Sequence, residues 1–198
     1  MPAPHGESHH GAGGDPIDVA TASVSGLHSA ADKAAFDNLK LRSVVVDWDN
    51  GIGSPVTEYE SGDTFCFVLN NAITSGVKAN LPMPRDISLA TTNPIVNVRY
   101  VVSQNGAGNG DVRLQLTCRY KAVGELLSAA AEQTLLATSA VTDTVDQLHE
   151  QQFTLDRSLM AAGDSLSFDL SRLGGDGADT FTGRIAIVEV GRMDYEVS

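Results

Sequence analysis

The sequence predicts a mainly β protein: an antiparallel β-sandwich of jelly-roll type, preceded by an extended N-terminal arm and one short helix. Three observations lead to this prediction. β-branched and alternating segments recur from Leu41 onward, glycine-rich turns separate them, and no helical pattern is sustained beyond residue 40. Roughly eight to ten such segments are typical of two packed sheets. We therefore expect an arm over residues 1–40 and a sandwich domain over residues 41–198.

The N-terminal region combines a polar arm with a short helix. Residues 1–25 are rich in glycine and proline, so we do not expect them to fold alone. Ser29 is placed as an N-cap and Asp32 as its capping-box partner, and four alanines favour a helix over residues 29–39. So short a helix needs a surface to pack against, either its own domain or a second subunit. The apolar side chains that predict contacts between subunits are Leu27, Phe36 and Leu39.

The composition limits the classes of partner. Lys and Arg total 13 against 25 Asp and Glu, which gives a formal net charge of −12. Such a chain lacks the basic surface of a nucleic-acid-binding protein, and an anionic membrane would repel it. No apolar run is long enough to span a bilayer, and the N-terminus lacks the basic and apolar regions of a secretory signal. We expect neither nucleic acid nor membrane as a partner.

The first half of the sandwich domain contains two clear strand patterns. Residues 43–48 (SVVVDW) are β-branched and predict a strand, and residues 49–55 (DNGIGSP) predict a turn. Residues 64–69 (TFCFVL) are apolar nearly throughout, which indicates a strand buried on both faces. The prolines in residues 81–85 predict a rigid connector rather than a central strand.

The second half alternates more regularly. Residues 112–120 place Val, Leu, Leu, Cys and Tyr on one face and polar side chains on the other. Residues 104–111 predict a glycine-rich loop, and residues 121–132 are compatible with a loop or a short helix. The further predicted strand segments are residues 87–89, 95–102, 133–141, 144–149, 152–155, 165–172 and 183–190.

One aromatic residue lies between two carboxylates, and this is the candidate glycan contact. Trp48 could stack on a pyranose while Asp47 and Asp49 accept hydrogen bonds from hydroxyl groups. The alternative is that Trp48 faces the core and both carboxylates face solvent, as the period of a strand requires.

Two further motifs suggest metal binding without completing a site. Residues 174–179 (GGDGAD) match the pattern of calcium-binding β-roll repeats, but one copy cannot build the shared cage. The alternative is a hairpin loop between Arg172 and Arg184 that uses glycine for positive φ. The N-terminal histidines have no neighbouring ligand spacing that indicates a metal site. We therefore predict neither a metal nor a cofactor.

Nothing in the sequence indicates nucleophilic catalysis. His149 is the only histidine after residue 28, so a catalytic triad would depend on it or on the arm. Cys66 and Cys118 lie in separate strand patterns, which favours two buried thiols over a disulfide or a zinc site. We predict a protein that is not an enzyme.

Two segments resemble a module of tailed-bacteriophage fibre and appendage proteins. They are residues 9–17 (HHGAGGDPI) and residues 22–37 (ASVSGLHSAADKAAFD), and together they cover about a sixth of the chain. His28 stands where those proteins often carry Met, and Phe36 where Leu is common. The resemblance implies a homotrimer attached to a virion by its N-terminus. The residues that it assigns to virion anchoring are His9, His10, Asp15, Pro16 and Ile17.

These patterns together predict a virion structural protein. The short chain favours a capsid decoration protein, cement protein or head fibre over a long tail fibre. Its expected partners are copies of itself and the major capsid protein or other virion proteins. The alternative is a tail-appendage module that binds a receptor or a carbohydrate, with a host-surface glycan as ligand and Asp47, Trp48 and Asp49 as contacts.

Overall fold

The protein folds into an antiparallel β-sandwich, as predicted. The computed structural model describes residues 41–53, 57–90, 92–126 and 128–197. No helix among the described residues has the length and apolar character needed to cross a membrane. The predicted helix over residues 29–39 lies outside the described residues, and the predicted division of the chain at residue 40 stays a prediction.

Twelve strands form a seven-stranded sheet, the larger sheet, and a five-stranded sheet, the smaller sheet. The larger sheet contains β1 (Leu41–Asp47), β3 (Thr57–Ser61), β4 (Thr64–Leu69), β6 (Ile95–Gln104), β9 (Leu148–Thr154), β11 (Arg184–Val188) and β12 (Val190–Glu196). The smaller sheet contains β2 (Asp49–Gly53), β5 (Thr74–Pro82), β7 (Gly110–Lys121), β8 (Gln133–Val141) and β10 (Ser165–Leu173). A single 3-10 turn spans Arg157–Leu159.

The strand order brings distant segments together. In the smaller sheet the order is β2-β5-β10-β7-β8, and all four pairings are antiparallel. In the larger sheet β6 pairs with β9 on one side and with β11 and β12 on the other. Strands β4 and β3 extend the sheet beyond β11, and β1 extends it beyond β12. The predicted segment 87–89 contributes only an isolated bridge from Ile87 to Val197.

Strand β7 shows how the sequence pattern positions the core. The side chains predicted to point inward are at most 3% exposed, and the intervening polar ones are partly exposed. The predicted alternation is therefore confirmed. A strand in one of two packed sheets must place every second side chain in the apolar layer that the sheets share. The inward set is Val112, Leu114, Leu116, Cys118 and Tyr120.

Strand β4 is buried on both faces, as its apolar run predicts. Phe67 and Leu69 join the main core between the sheets. Cys66 and Val68 lie on the other face, in a small apolar cluster that includes Val101. Both cysteines of the chain, Cys66 and Cys118, are free and buried, which confirms the expected separate thiols.

Two predictions in the first half of the domain are wrong. Residues 49–53 form strand β2 rather than a turn, because the chain leaves the larger sheet at Trp48 and pairs with β5 of the smaller one. Residues 81–82 belong to the central strand β5 rather than to a connector. Pro82 is tolerated there because it is the last residue of β5 and because β2 pairs with β5 only as far as Lys78.

The loop over residues 174–183 connects the two sheets and is not a hairpin. Strand β10 before it lies in the smaller sheet, and β11 after it lies in the larger one. None of the glycines in this loop has positive φ. Gly174 and Gly183 are needed for close approach instead: a Cβ at Gly174 would lie 2.3 Å from the carbonyl oxygen of Asn71, and one at Gly183 would lie 2.3 Å from that of Gln104.

A buried ion pair holds this loop in place. Arg172 Nε and Nη2 donate to the Asp179 carboxylate at 2.9 and 2.6 Å, and the side chains are 0% and 1% exposed. Arg172 Nη1 donates to the Gly183 carbonyl at 2.8 Å, Nη2 also donates to the Phe181 carbonyl, and the guanidinium lies 5.8 Å from the Phe181 ring centroid. The Asp179 carboxylate is therefore committed to Arg172.

Asp179→Asn is expected to destabilise the fold by about 3–5 kcal/mol, because it leaves the Arg172 charge buried without a counterion. Urea unfolding followed by the fluorescence of the single tryptophan measures this. Asp176→Asn is the matched control: its carboxylate is exposed, and its nearest approach to Arg113 is 3.5 Å, so we expect a loss below about 1 kcal/mol. Equal losses in the two variants would contradict the assignment.

Candidate functional site

The predicted glycan contacts lie where the chain crosses from β1 to β2, and the crossing directs them to different sides of the chain. Trp48 points into the core and is 2% exposed, whereas Asp47 and Asp49 are exposed. The backbone N–H of Trp48 donates to the Glu189 carbonyl at 2.8 Å. A Cβ at Gly191 would lie 2.8 Å from the indole Nε1 of Trp48. The predicted stacking of Trp48 on a sugar is therefore not available in this structure. The alternative, a core tryptophan with outward carboxylates, describes the molecule.

The two carboxylates nevertheless line a cavity of about 410 Å³, here called the first cavity. The structure adds three polar side chains that the sequence analysis did not select: Lys78, Asn80 and Glu189. Lys78 and Asn80 come from β5, and Glu189 lies at the break between β11 and β12. Sequence alone could not group them, because Lys78 and Glu189 are 111 positions apart and come from different sheets, which meet here at the crossing from β1 to β2.

A second cavity, of about 590 Å³, adjoins the first. Its walls are the end of β5, the start of β10, and the loop that follows β7, and Asn80 lines both cavities. The pair of cavities, here called the β5 groove, lies where β2 stops pairing with β5 at Lys78, and among the described residues no strand pairs with the rest of β5 on that side. The second cavity is lined by Asn80, Leu81, Pro82, Lys121, Ala122, Val123, Gly124, Glu125, Gly163, Asp164 and Ser165.

The polar side chains at the centre of the groove have no partner in the part of the chain that the structure describes. Among the described residues, the side chains of Asp47, Lys78, Asn80 and Glu189 form no hydrogen bond and no ion pair. Elsewhere on the outer face of the same sheet, the charged groups are paired with each other. Arg119 Nη1, for example, donates to Asp169 at 2.5 Å. The groove therefore concentrates hydrogen-bonding capacity that folding leaves unused.

The far wall of the second cavity is held by hydrogen bonds within the protein. Lys121 is 7% exposed, and its ammonium group donates to the Glu132 carboxylate and, at 3.3 Å, to the Ala130 carbonyl. Burial alone would raise the pKa of the Glu132 carboxyl, but hydrogen bonds from Lys121 and the Tyr120 N–H lower it below its ordinary value. The carboxylate of Asp164 accepts from the Ala161 N–H at 2.8 Å. These hydrogen bonds shape the wall, and they occupy the Lys121 ammonium group and one carboxylate oxygen of Asp164.

The groove presents carboxylate acceptors, one ammonium donor and one amide that does both. That mixture suits a ligand covered with hydroxyl groups, each of which donates and accepts. In the first cavity, three carboxylates against one ammonium disfavour a phosphate or sulfate. Among the described residues, no group of three or more His, Cys, Asp or Glu side chains is placed to hold a metal ion.

The two thiols are buried and His149 is half-buried, all in structural positions. His149 stacks on Tyr100 with ring centroids 5.3 Å apart, and within the described residues its Nε2 is buried without a hydrogen-bond partner. Burial lowers the pKa of His149, raises the pKa of the Cys66 thiol, and raises that of Cys118 to about 12. Neither thiol is an activated nucleophile.

The predicted subunit contacts Leu27, Phe36 and Leu39 lie outside the described residues. The same is true of the predicted anchoring residues, which are His9, His10, Asp15, Pro16 and Ile17. Their roles stay predictions.

Comparison with known proteins gives structural neighbours but no relatives by sequence. No family model and no curated protein sequence matches the chain. A xylan-binding module, CBM15, is 17% identical, with a TM-score of 0.44 over 78% of this chain and 95% of the module. A family 29 carbohydrate-binding module from Piromyces equi is 7% identical, with a TM-score of 0.42 over 77% of this chain and 90% of that one.

A third neighbour is much longer than this chain. An arabinose-bound α-L-arabinofuranosidase, MgGH51, is 11% identical, with a TM-score of 0.47 over 75% of this chain and 23% of the enzyme. All three TM-scores are below 0.5, so the chemistry of the β5 groove is argued from this chain alone.

The stability of the fold is expected to fall as the pH drops below about 6.5, the ordinary pKa of histidine. The lowered pKa of His149 means that the folded protein binds fewer protons than the unfolded chain, so acidification favours unfolding. Urea unfolding at pH 7.5, 6.5 and 5.5 measures this for the wild type and for His149→Phe, which keeps a ring against Tyr100. The variant should lose less stability across this range, and equal losses would contradict the role of His149.

Proposed function

We propose that residues 41–198 form a non-catalytic module that binds a glycan in the β5 groove, and that the whole chain is a tail appendage protein of a bacteriophage. One observation carries the first part: the side chains of Asp47, Lys78, Asn80 and Glu189, which have no partner among the described residues, line the first cavity, and Asn80 also lines the second. Folding does not use these groups, and an occupant rich in hydroxyl groups would.

A glycan fits the groove better than other polar ligands. The carboxylates repel polyphosphates, in agreement with the net charge of −12. The aromatic side chains that line the groove, Trp48 and Phe67, are 2% and 6% exposed, so hydrogen bonds rather than stacking would hold the sugar. Binding by exposed hydrogen bonds is weak at one site, because each bond replaces one to water. Several sites on one particle would compensate through avidity.

The virion assignment is supported by the N-terminal resemblance over residues 9–39. In the proposal, residues 1–40 trimerise the chain and attach it to other virion proteins, and the sandwich projects outward with three grooves. A groove built for a host-surface glycan favours the tail over the capsid. The location of the protein in this proposal is the virion.

Asn80→Ala is expected to weaken glycan binding at least tenfold, because Asn80 lines both cavities and its amide is the group that both donates and accepts there. A glycan array with the full-length chain identifies the ligand, and titration calorimetry then compares the two proteins.

Asn105→Ala is the matched control for this experiment. Asn105 is exposed and precedes β7, whereas Asn80 lies level with Arg119 near the other end of β7, about 30 Å along the strand from Gly110 at 3.3 Å per residue. We expect this variant to bind as the wild type does. Unchanged affinity in Asn80→Ala, or no glycan bound by the wild type, would refute the groove as a glycan site.

Removal of residues 1–40 is expected to convert a trimer into a folded monomer that no longer joins virions. Light scattering coupled to size exclusion measures the oligomeric state, and circular dichroism checks that the sandwich remains folded. Electron microscopy of virions with the protein labelled gives its position. A monomeric full-length chain would refute the trimer, and a label on the head would return the function to capsid decoration.

A further inference from the structure

The loop after β7 carries the most exposed apolar side chains among the described residues. Val123 is 101% exposed and Leu126 is 73% exposed. An aliphatic side chain held in water forgoes the free energy that burial would give it, so a ligand that covers one is stabilised by the contact. Val123 lines the second cavity, whereas Leu126 does not.

The position of Val123 is fixed by its neighbours. The Glu125 N–H donates to the Ala122 carbonyl at 3.1 Å, and the Ala122 N–H donates to Glu125 Oε2 at 2.9 Å. Gly124 has a φ of +98°, a conformation that glycine adopts without strain. The turn therefore holds the aliphatic group of Val123 and the carboxylate of Glu125 on the wall of one cavity, with Asn80 on the same cavity.

These three groups have the chemistry that complements the three parts of an acetamido substituent. A methyl group would pack on Val123, the amide N–H would donate to the carboxylate of Glu125, and the carbonyl would accept from the amide of Asn80. Glu125 keeps Oε1 for this contact, since its hydrogen bond within the turn uses Oε2. A hydroxyl group in the same position would leave Val123 exposed to water.

We infer that the second cavity selects a sugar with an N-acetylated amino group, with Val123 as the residue that determines specificity. The inference rests on the proposed glycan function and names the class of sugar. It also gives the exposed valine a role that neither the core nor the fold requires.

The test compares N-acetylglucosamine, glucosamine and glucose as free ligands of the full-length chain, by titration calorimetry or by saturation-transfer NMR. The wild type is expected to prefer N-acetylglucosamine over glucose about fourfold, the factor given by one buried methyl group. Val123→Ser should reduce this preference to about one, because the methyl group would lose its apolar partner. Val123→Ile should retain it.

Leu126→Ser is the matched control, because it removes an exposed aliphatic group from the same loop but outside the cavity. Its preference should equal that of the wild type. Equal wild-type affinities for N-acetylglucosamine and glucose, or for N-acetylglucosamine and glucosamine, would overturn the inference and leave the glycan site standing. A preference that survives Val123→Ser would do the same. If the wild type binds no saccharide, the proposed function fails and the inference fails with it.

Discussion

The connection between the two sheets depends on one buried ion pair. Arg172 lies near the end of β10 with its side chain out of water, and among the described residues the charge that compensates it is that of Asp179, seven residues later. The same carboxylate accepts from the Arg113 N–H at 3.0 Å, so it also ties the loop to β7. A buried pair of this kind adds little net stability compared with apolar side chains, because desolvation of both charges offsets their attraction. Its effect is on specificity: any path of the loop that separates the two groups leaves a bare charge in the core.

The position of the β5 groove depends on an equally local constraint, the crossing of the chain from β1 to β2. The chain passes from one sheet to the other within a single residue, Trp48, whose burial forces its two neighbours outward. Strand β2 starts immediately after this crossing, so its register with β5 is set by where the indole packs. Pairing ends at Lys78, and the exposed part of β5 becomes the floor of the cavities. The position of the groove is thus a consequence of core packing, although none of its central polar groups belongs to the core.

The sequence predicted those parts of the fold that depend on local periodicity. Strand β7 alternates strictly, and its five inward residues are the ones that the pattern selects. Strands β2 and β5 were missed because the composition of both segments resembles that of turns. Whether glycine and proline are tolerated there depends on the neighbouring strands, which the sequence does not reveal. The GGDGAD segment shows the same limit: its glycines permit close approach to Asn71 and Gln104 rather than a turn. In the groove, sequence supplied Asp47 and Asp49, which are adjacent to an aromatic residue, but not Asn80 or Glu189, which only the tertiary fold brings beside them.

The open stretch of β5 is also a sheet edge, and exposed edges invite a second molecule to add a strand. Two of the residues there resist such pairing: Asn80 is polar, and Pro82 has no N–H to donate. Lys78, where the pairing with β2 ends, places a charge beside them. Replacement of these residues by β-branched apolar ones would make the groove more hydrophobic and would also create a flat edge that pairs with its copy in another molecule. Colloidal stability therefore limits how far evolution or engineering can raise the affinity of this groove by adding apolar surface. Changes in the loop after β7 are not subject to that limit, because that loop is not part of a sheet.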